Sequence, residues 1–228
     1  MIKSLSRKRR QEKLNSKFGF ISYSQDGEDM ILRSFYEEKP DYKGFYIDIG
    51  ALHPFRFSNT CFFYNTGWRG INIEPTPTAI SLFKEHRPED INLNIAIGEK
   101  KEELTFFCFN EPALNSFSKA LSEERDGEKE YHIVDKIPVM VYPLSEVLSQ
   151  YVSEGQTIDF MSIDVEGLDS LVLKSNDWKK FRPQYLLVED CIDNINELFE
   201  STIYSFLVNL NYTLLAKTKR TLILKDSL

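Results

Sequence analysis

The chain has 228 residues, of which 42% are hydrophobic and 13% aromatic, and its net charge is −7. That is enough apolar content for a sizeable core and too much for a disordered chain, and the length suits one α/β unit with short appendages. The acidic balance argues against a general nucleic-acid binder, which needs a basic face, and no apolar run approaches the roughly 20 residues that span a bilayer.

The expected division is a basic N-terminal tail or helix over 1–17 and one domain over 18–228. The first stretch, MIKSLSRKRRQEKLNSK, is poor in apolar residues. It reads either as a solvated tail or as an electrostatic contact to an anionic membrane surface or an acidic partner. No apolar core follows it, so it does not read as a signal peptide. Cys61, Cys108 and Cys191 are far apart and lack a CxxC pattern, which suits reduced thiols in a cytoplasmic protein.

Ser24 or Asp26 is expected to cap a helix whose apolar positions Met30, Ile31 and Phe35 recur at helical spacing. Gln25, Asp26, Glu28 and Asp29 crowd its start. The helix dipole accounts for acids there, and at least one of the four is a candidate to face a ligand. Gly44-Phe-Tyr-Ile-Asp-Ile-Gly50 then reads as a buried parallel strand that stops at Asp48 and turns at Gly50. A loop through His53 leads to a short helix from Thr60 to Asn65, with Ser58 or Asn59 as its cap and Gly67 as its stop.

Residues 68–74 read as a second strand ending in Glu74, 76–87 as a helix and 91–98 as a third strand. An added strand over 103–110, a polar loop over 111–118 and a highly charged stretch over 119–132 interrupt the strand–helix rhythm. Inserted loops of this kind often carry specificity. Residues 133–142 read as a strand, 143–151 as a helix and 158–164 as a fourth main strand ending in Asp164. A helix over 168–178, a fifth strand ending in Glu189 and Asp190, a helix over 194–209 and a closing hairpin with strands at 212–216 and 221–224 complete the chain.

Four expected parallel strands thus end in acids: Asp48, Glu74, Asp164 and the pair Glu189-Asp190. Open α/β sheets bind ligands outside the carboxyl ends of their strands. Like charges gathered there cost energy unless a cation, a metal or a hydroxyl-rich ligand offsets them. S-adenosylmethionine fits, with a ribose diol for Glu74, a sulfonium cation, and an amino group within reach of Asp48 or a neighbour. A nicotinamide-dependent oxidoreductase is the alternative enzyme class. It is disfavoured because the first turn lacks the GxGxxG that pyrophosphate binding needs. A cofactor-binding protein without chemistry is a third reading.

Taken together, Ser24-Gln-Asp-Gly-Glu-Asp29, Gly44-Phe-Tyr-Ile-Asp-Ile-Gly-Ala-Leu-His-Pro54, Arg56-Phe-Ser-Asn-Thr60, Gly67-Trp-Arg-Gly-Ile-Asn-Ile-Glu-Pro75 and Ile163-Asp-Val-Glu-Gly-Leu-Asp169 resemble the FkbM-type methyltransferases. The resemblance runs from about Ser24 to Asp190 and departs at Leu52, where the family commonly carries Asn. It implies a Rossmann-like class I methyltransferase fold of the α/β class, with a mostly parallel seven-stranded sheet and a C-terminal antiparallel hairpin. It also implies methyl transfer from S-adenosylmethionine to a hydroxyl of a sugar, polysaccharide precursor or related polar metabolite, with transfer to nitrogen or another nucleophile as the alternative.

By that resemblance Asp48, Gly50 and Ala51 line the methionine part of the cofactor, Ser58 and Asn59 hold its carboxylate, Glu74 binds its ribose, and Asn94 to Ala96 border its adenine. Gln25, Asp26, Asn115 and Glu166 are candidate acceptor contacts. His53 is the first candidate for a base, since its unperturbed pKa of about 6.5 leaves it neutral at working pH; a loop-packing histidine is the other reading. Asp164 is a second catalytic candidate. Asp164, Glu189 and Asp190 are also candidate ligands for Mg²⁺, similar to metal-dependent O-methyltransferases. Glu166 and Glu189 could instead bind sugar hydroxyls.

Overall fold

Alternation along five short apolar runs builds the centre of the molecule. The computed structural model describes residues 13–14, 17–192 and 194–228, so most of the basic stretch 1–17 lies outside the described residues. Helix α1 (Glu28–Phe35) precedes β1 (Phe45–Ile49). Then come α2 (Cys61–Asn65), β2 (Arg69–Ile73), α3 (Pro77–His86), β3 (Ile91–Leu93), β4 (Ala96–Ile97) and β5 (Glu102–Phe109). A 3₁₀ turn (Pro112–Leu114), α4 (Lys119–Arg125), β6 (Ile133–Tyr142), α5 (Leu144–Tyr151), β7 (Phe160–Ile163), α6 (Asp169–Lys174) and β8 (Tyr185–Glu189) follow. A second 3₁₀ turn (Ile195–Glu200), α7 (Thr202–Asn209), β9 (Tyr212–Lys217) and β10 (Thr221–Asp226) end the chain.

The main sheet has seven strands in the order β3-β2-β1-β7-β8-β10-β9. Its first five strands run parallel, and β10 is antiparallel to both β8 and β9. This is the architecture expected from the sequence. Successive side chains of a strand point to opposite faces. Ile47 and Ile49 therefore pack with Leu144, Leu148, Val172 and Leu207 from α5, α6 and α7. Tyr46 turns to the other layer, with Leu32 of α1, Phe63 of α2, Trp68 and Phe160. Asp48 shares the parity of Tyr46, so it points beneath α2 and is 5% exposed.

Two expected elements are corrected. The run 91–98 is not one strand. Ile91–Leu93 pairs with β2, while Ala96–Ile97 leaves for a second, three-stranded sheet in the order β4-β6-β5. Asn94 marks the break, its side chain donating to the carbonyls of Glu74 and Pro75. The run 194–209 divides at Ser201, whose hydroxyl accepts from the Tyr204 amide and starts α7 afresh.

The expected caps are also displaced. Gly27, at φ 91, is the N-cap of α1, with no side-chain cap bond. Ser24 lies outside that position but still accepts the first-turn amide of Asp29 at 3.3 Å, and it donates to the Asp29 carboxylate, which takes a second hydroxyl from Ser22 and the amide of Tyr23. Thr60 is the N-cap of α2, while Ser58, two residues further out, accepts from the Cys61 amide.

Gly50 sits at φ 78, and an added Cβ would fall 1.7 Å from the Asp164 carbonyl oxygen. Only glycine lets the β1 and β7 ends close together there. Gly155 has φ 77 but open space around it. Gly50→Ala should therefore cost several kcal/mol or abolish folding, whereas Gly155→Ala should cost about 1 kcal/mol. Urea unfolding of the two variants checks this, and equal losses would contradict it.

Candidate active site

A cavity of about 460 Å³ opens across the carboxyl ends of the central strands. Its size falls within the range of about 300–1,000 Å³ usual for small-molecule sites. Gly50 at the end of β1, Glu74 after β2, Asp164 after β7 and Glu189 at the end of β8 all line it. The second sheet and its loops form the far wall, through Phe106, Asn115, Phe117 and Tyr131. Three ion pairs tie this rim: Arg56–Glu111 at 2.8 Å, Arg125–Glu166 at 2.9 Å and Arg220–Asp26 at 2.8 Å.

Glu74 is 5% exposed, and each of its carboxylate oxygens takes a backbone amide, from Leu52 at 2.9 Å and Thr76 at 2.7 Å. Burial raises its pKa while those amide bonds oppose the rise. A carboxylate oxygen has two lone pairs, so each still has room for another donor. Leu52, which holds one of these bonds, adopts φ 54. That left-handed conformation is one asparagine tolerates better than leucine.

Asp164 lines the cavity and keeps an exposed surface there. Loss of hydration against the surrounding protein, and then the charges of Glu189, Asp169 and Glu166, raise its pKa well above the ordinary carboxylate value. Asp169 stands behind the same turn, 3% exposed, accepting the Val165 and Gly167 amides at 3.2 Å each. Burial pushes its pKa up to about 7. Glu166 occupies the left-handed region of that turn at φ 54 and is held by Arg125.

Of the residues expected at the cofactor site, Gly50, Glu74 and Ala96 line the cavity. Asn59 lines an adjoining small cleft with Gln25, Asp26 and Asp164, and donates to Ser162 at 3.0 Å. Ser58, at 1% exposure, lies under the loop. Asp48, Ala51 and Asn94 are not among the described lining residues. Asp48 accepts from Thr60 Oγ1 at 2.7 Å instead. Of the expected acceptor contacts, Gln25, Asn115 and Glu166 line the main cavity, and Asp26 the cleft. Asn115 is also a pin, accepting the Phe109 amide and donating to Thr76.

His53 stands away from the wall, its Nδ1 accepting the amides of Phe55 at 3.1 Å and Arg56 at 3.2 Å. Asp190 turns to Ser201, whose hydroxyl donates to it at 2.5 Å. Asp164, Glu189 and Asp190 therefore do not converge, and among the described residues no group of three or more His, Cys, Asp or Glu is placed to hold a metal ion.

Sequence reading missed Arg87. It is the last residue of the helix expected over 76–87, yet it is 1% exposed beneath the loop 54–60. The rim arginines Arg56, Arg125 and Arg220 were also missed, since their partners are 55, 41 and 194 residues away.

A mostly parallel sheet in this order, with a reversed last strand and a cavity across its carboxyl edge, is a Rossmann-like methyltransferase fold. The chain matches the methyltransferase FkbM domain model over residues 48–214, well over half its length, and belongs to that family. Among solved structures it is similar to the methyltransferase FkbM from Methylobacillus flagellatus KT, at 12% identity and a TM-score of 0.47, covering 81% of this chain and 44% of that one. It is also similar to an O-methyltransferase from Bacillus cereus solved in complex with SAH, at 12% identity and a TM-score of 0.44, covering 95% of this chain and 88% of that one. At this distance the two likenesses say nothing about chemistry, and the chain spans less than half the length of the first. No curated protein matches it. Among the described residues no helix is long and apolar enough to cross a membrane.

The raised acids have a consequence for stability. Between pH about 4 and 7 the folded chain holds protons on Asp169 (pKa about 7) and Asp48 (pKa about 6) that the unfolded chain has released. Stability therefore falls as pH rises through that window. The unfolding free energy should be higher at pH 5.5 than at pH 8, with Asp169 contributing roughly 1–2 kcal/mol of the difference. Asp169→Asn should narrow that difference in urea titrations, and an unchanged difference would contradict the assignment.

Proposed function

We propose that this protein is an S-adenosylmethionine-dependent O-methyltransferase acting on a hydroxyl of a sugar, a polysaccharide precursor or a related polar metabolite. The observation that carries this reading is Glu74, a buried carboxylate at the second strand end, on the cavity wall beside the Gly50 turn. Its spare lone pairs suit the two hydroxyls of a ribose. The apolar strip Ile95-Ala96-Ile97 with Phe106 and Phe117 suits a purine face beyond it. The turn at Gly50 leaves backbone free of side chain beside the methionine end. These residues fit the cofactor.

When bound, S-adenosylmethionine supplies a sulfonium-activated methyl group open to in-line attack by oxygen. The chain's contribution is alignment and acceptance of the hydroxyl proton. Strand order runs β2, β1, β7, β8 along the edge, with about 4.8 Å between neighbours. Ribose at β2 and methionine at β1 put the acceptor at β7 and β8, against Asp164 and Glu189. With His53 engaged in its loop, Asp164 is the proposed base. The Glu189 charge, after burial, helps hold the Asp164 carboxyl above the ordinary carboxylate range, which suits it to take up a proton near neutral pH.

The magnesium site expected from Asp164, Glu189 and Asp190 does not fit, because Asp190 is turned to Ser201. The proposed proton acceptor is the carboxylate itself.

The cavity's charges favour an acceptor without phosphate. Arg56, Arg125 and Arg220 are each already paired with a carboxylate, while among the described residues Asp164 and Glu189 form no ion pair with an arginine. The free thiols of Cys61, Cys108 and Cys191 support a cytoplasmic setting. The basic segment ahead of residue 18 is a candidate contact to an anionic membrane surface.

Turnover of labelled methyl donor on a panel of neutral and phosphorylated sugars tests the reading. Neutral acceptors should be methylated and their phosphorylated forms should not. Asp164→Asn should lower kcat by about 10²-fold or more, with His53→Ala within about threefold of the parent. Full activity in Asp164→Asn would remove Asp164 from the chemistry.

A further inference from the structure

Arg87 lies just past α3, buried and remote from the cavity wall. Its guanidinium sits between the rings of Phe83 at 5.1 Å and Tyr64 at 5.6 Å. One terminal nitrogen donates to Thr60 Oγ1 at 2.7 Å. The other donates to Ser58 Oγ at 2.9 Å and to the carbonyl of Pro54. Nε is buried and has no hydrogen-bond partner among the described residues. Taking a guanidinium out of water is costly, and the fold retains one here with a donor unsatisfied.

What the guanidinium touches explains its place. Pro54, Ser58 and Thr60 bracket the segment that presents Arg56 and Phe57 to the cavity, and Phe57 sits at φ 56. Because Thr60 Oγ1 accepts from Arg87, its own hydrogen is free for Asp48 Oδ2 at 2.7 Å. The chain Arg87–Thr60–Asp48 thereby joins the end of α3, the start of α2 and the end of β1.

We propose that Arg87 is a positioning residue for the cofactor half of the site: it clamps both ends of the loop that presents Arg56 and Phe57, and it supplies the positive charge that keeps Asp48 ionised beneath the Gly50 turn. Naming the cofactor rests on the methyltransferase reading above; the clamp and the link to Asp48 do not. Several groups bear on Asp48. Burial raises its pKa to about 6, Thr60, Arg87 and Ser162 lower it, and Asp90 raises it. Tyr46 and Glu74 also lie within its field. Arg87 is the cation in this group, so its loss leaves Asp48 facing only neutral or negative neighbours and drives it towards the neutral acid.

Arg87→Met, Arg87→Lys and Thr60→Val test this, each checked for a cooperative thermal transition. Two readouts are needed: the ¹³C titration of the Asp48 carboxyl, and calorimetric binding of S-adenosylhomocysteine from pH 5.5 to 8.5. In Arg87→Met the Asp48 midpoint should move at least one pH unit upward. Affinity for the homocysteine compound at pH 7 should fall about tenfold or more, and KM for the methyl donor should rise while kcat changes less than threefold. Arg87→Lys keeps the charge without the forked donors, so it should restore most of the Asp48 midpoint and only part of the affinity. Should Arg87→Met not fold, Thr60→Val removes the relay hydroxyl alone and should move both readouts the same way by a smaller amount. A folded Arg87→Met or Thr60→Val with parental midpoint and affinity overturns the proposal. If the parent itself fails to bind the homocysteine compound, the methyltransferase reading falls, and the Asp48 titration alone then decides the link to Arg87.

Discussion

Carboxylates gathered at one edge of a parallel sheet repel one another, and each must be answered by a partner. The site is the set of answers. Glu74 is met by two backbone amides and Asp169 by two more. Glu166 is met by Arg125, and Asp48 by the hydroxyl of Thr60 with Arg87 behind it. Asp164 and Glu189 line the cavity, where Asp169 and Glu166 add further negative charge and the Cys191 thiol donates to Glu189. Among the described residues neither forms an ion pair, and this is the pair proposed above to face the acceptor.

The second sheet gives the cavity its depth. Without β4, β5 and β6 the strand ends would open on a shallow crevice. The hairpin of β5 and β6, with α4, instead supplies a far wall carrying Glu111, Asn115, Phe117 and Arg125. Two of the rim ion pairs, Arg56–Glu111 and Arg125–Glu166, bridge this wall to the main sheet's loops. Such partly exposed pairs are each worth little in stability, so their weight is in shape and charge: they occupy guanidiniums that would otherwise attract phosphate.

Much of this was legible in the residues. The runs around Asp48, Glu74, Asp164 and Glu189 are short and apolar, each with a glycine or proline at a boundary, so their strand character and their shared edge followed from local pattern. What pattern could not show was which face each acid takes. Asp48 has the parity of Tyr46 and turns under α2, while Glu74 and Asp164, just past their strands, reach the cavity. His53 was attractive because it follows the turn, but its ring accepts two amides of its own loop. Arg87 was invisible for the opposite reason. Its partners lie 27 to 33 residues earlier in the chain, and nothing near it in sequence marks it as buried.

The most direct measurement is a crystal structure of the protein with S-adenosylhomocysteine. The account predicts the ribose hydroxyls within hydrogen-bond range of Glu74, the adenine against Ile95 to Ile97, and the sulfur directed towards Asp164. A ligand lying elsewhere on the molecule, or a ribose out of reach of Glu74, would contradict it.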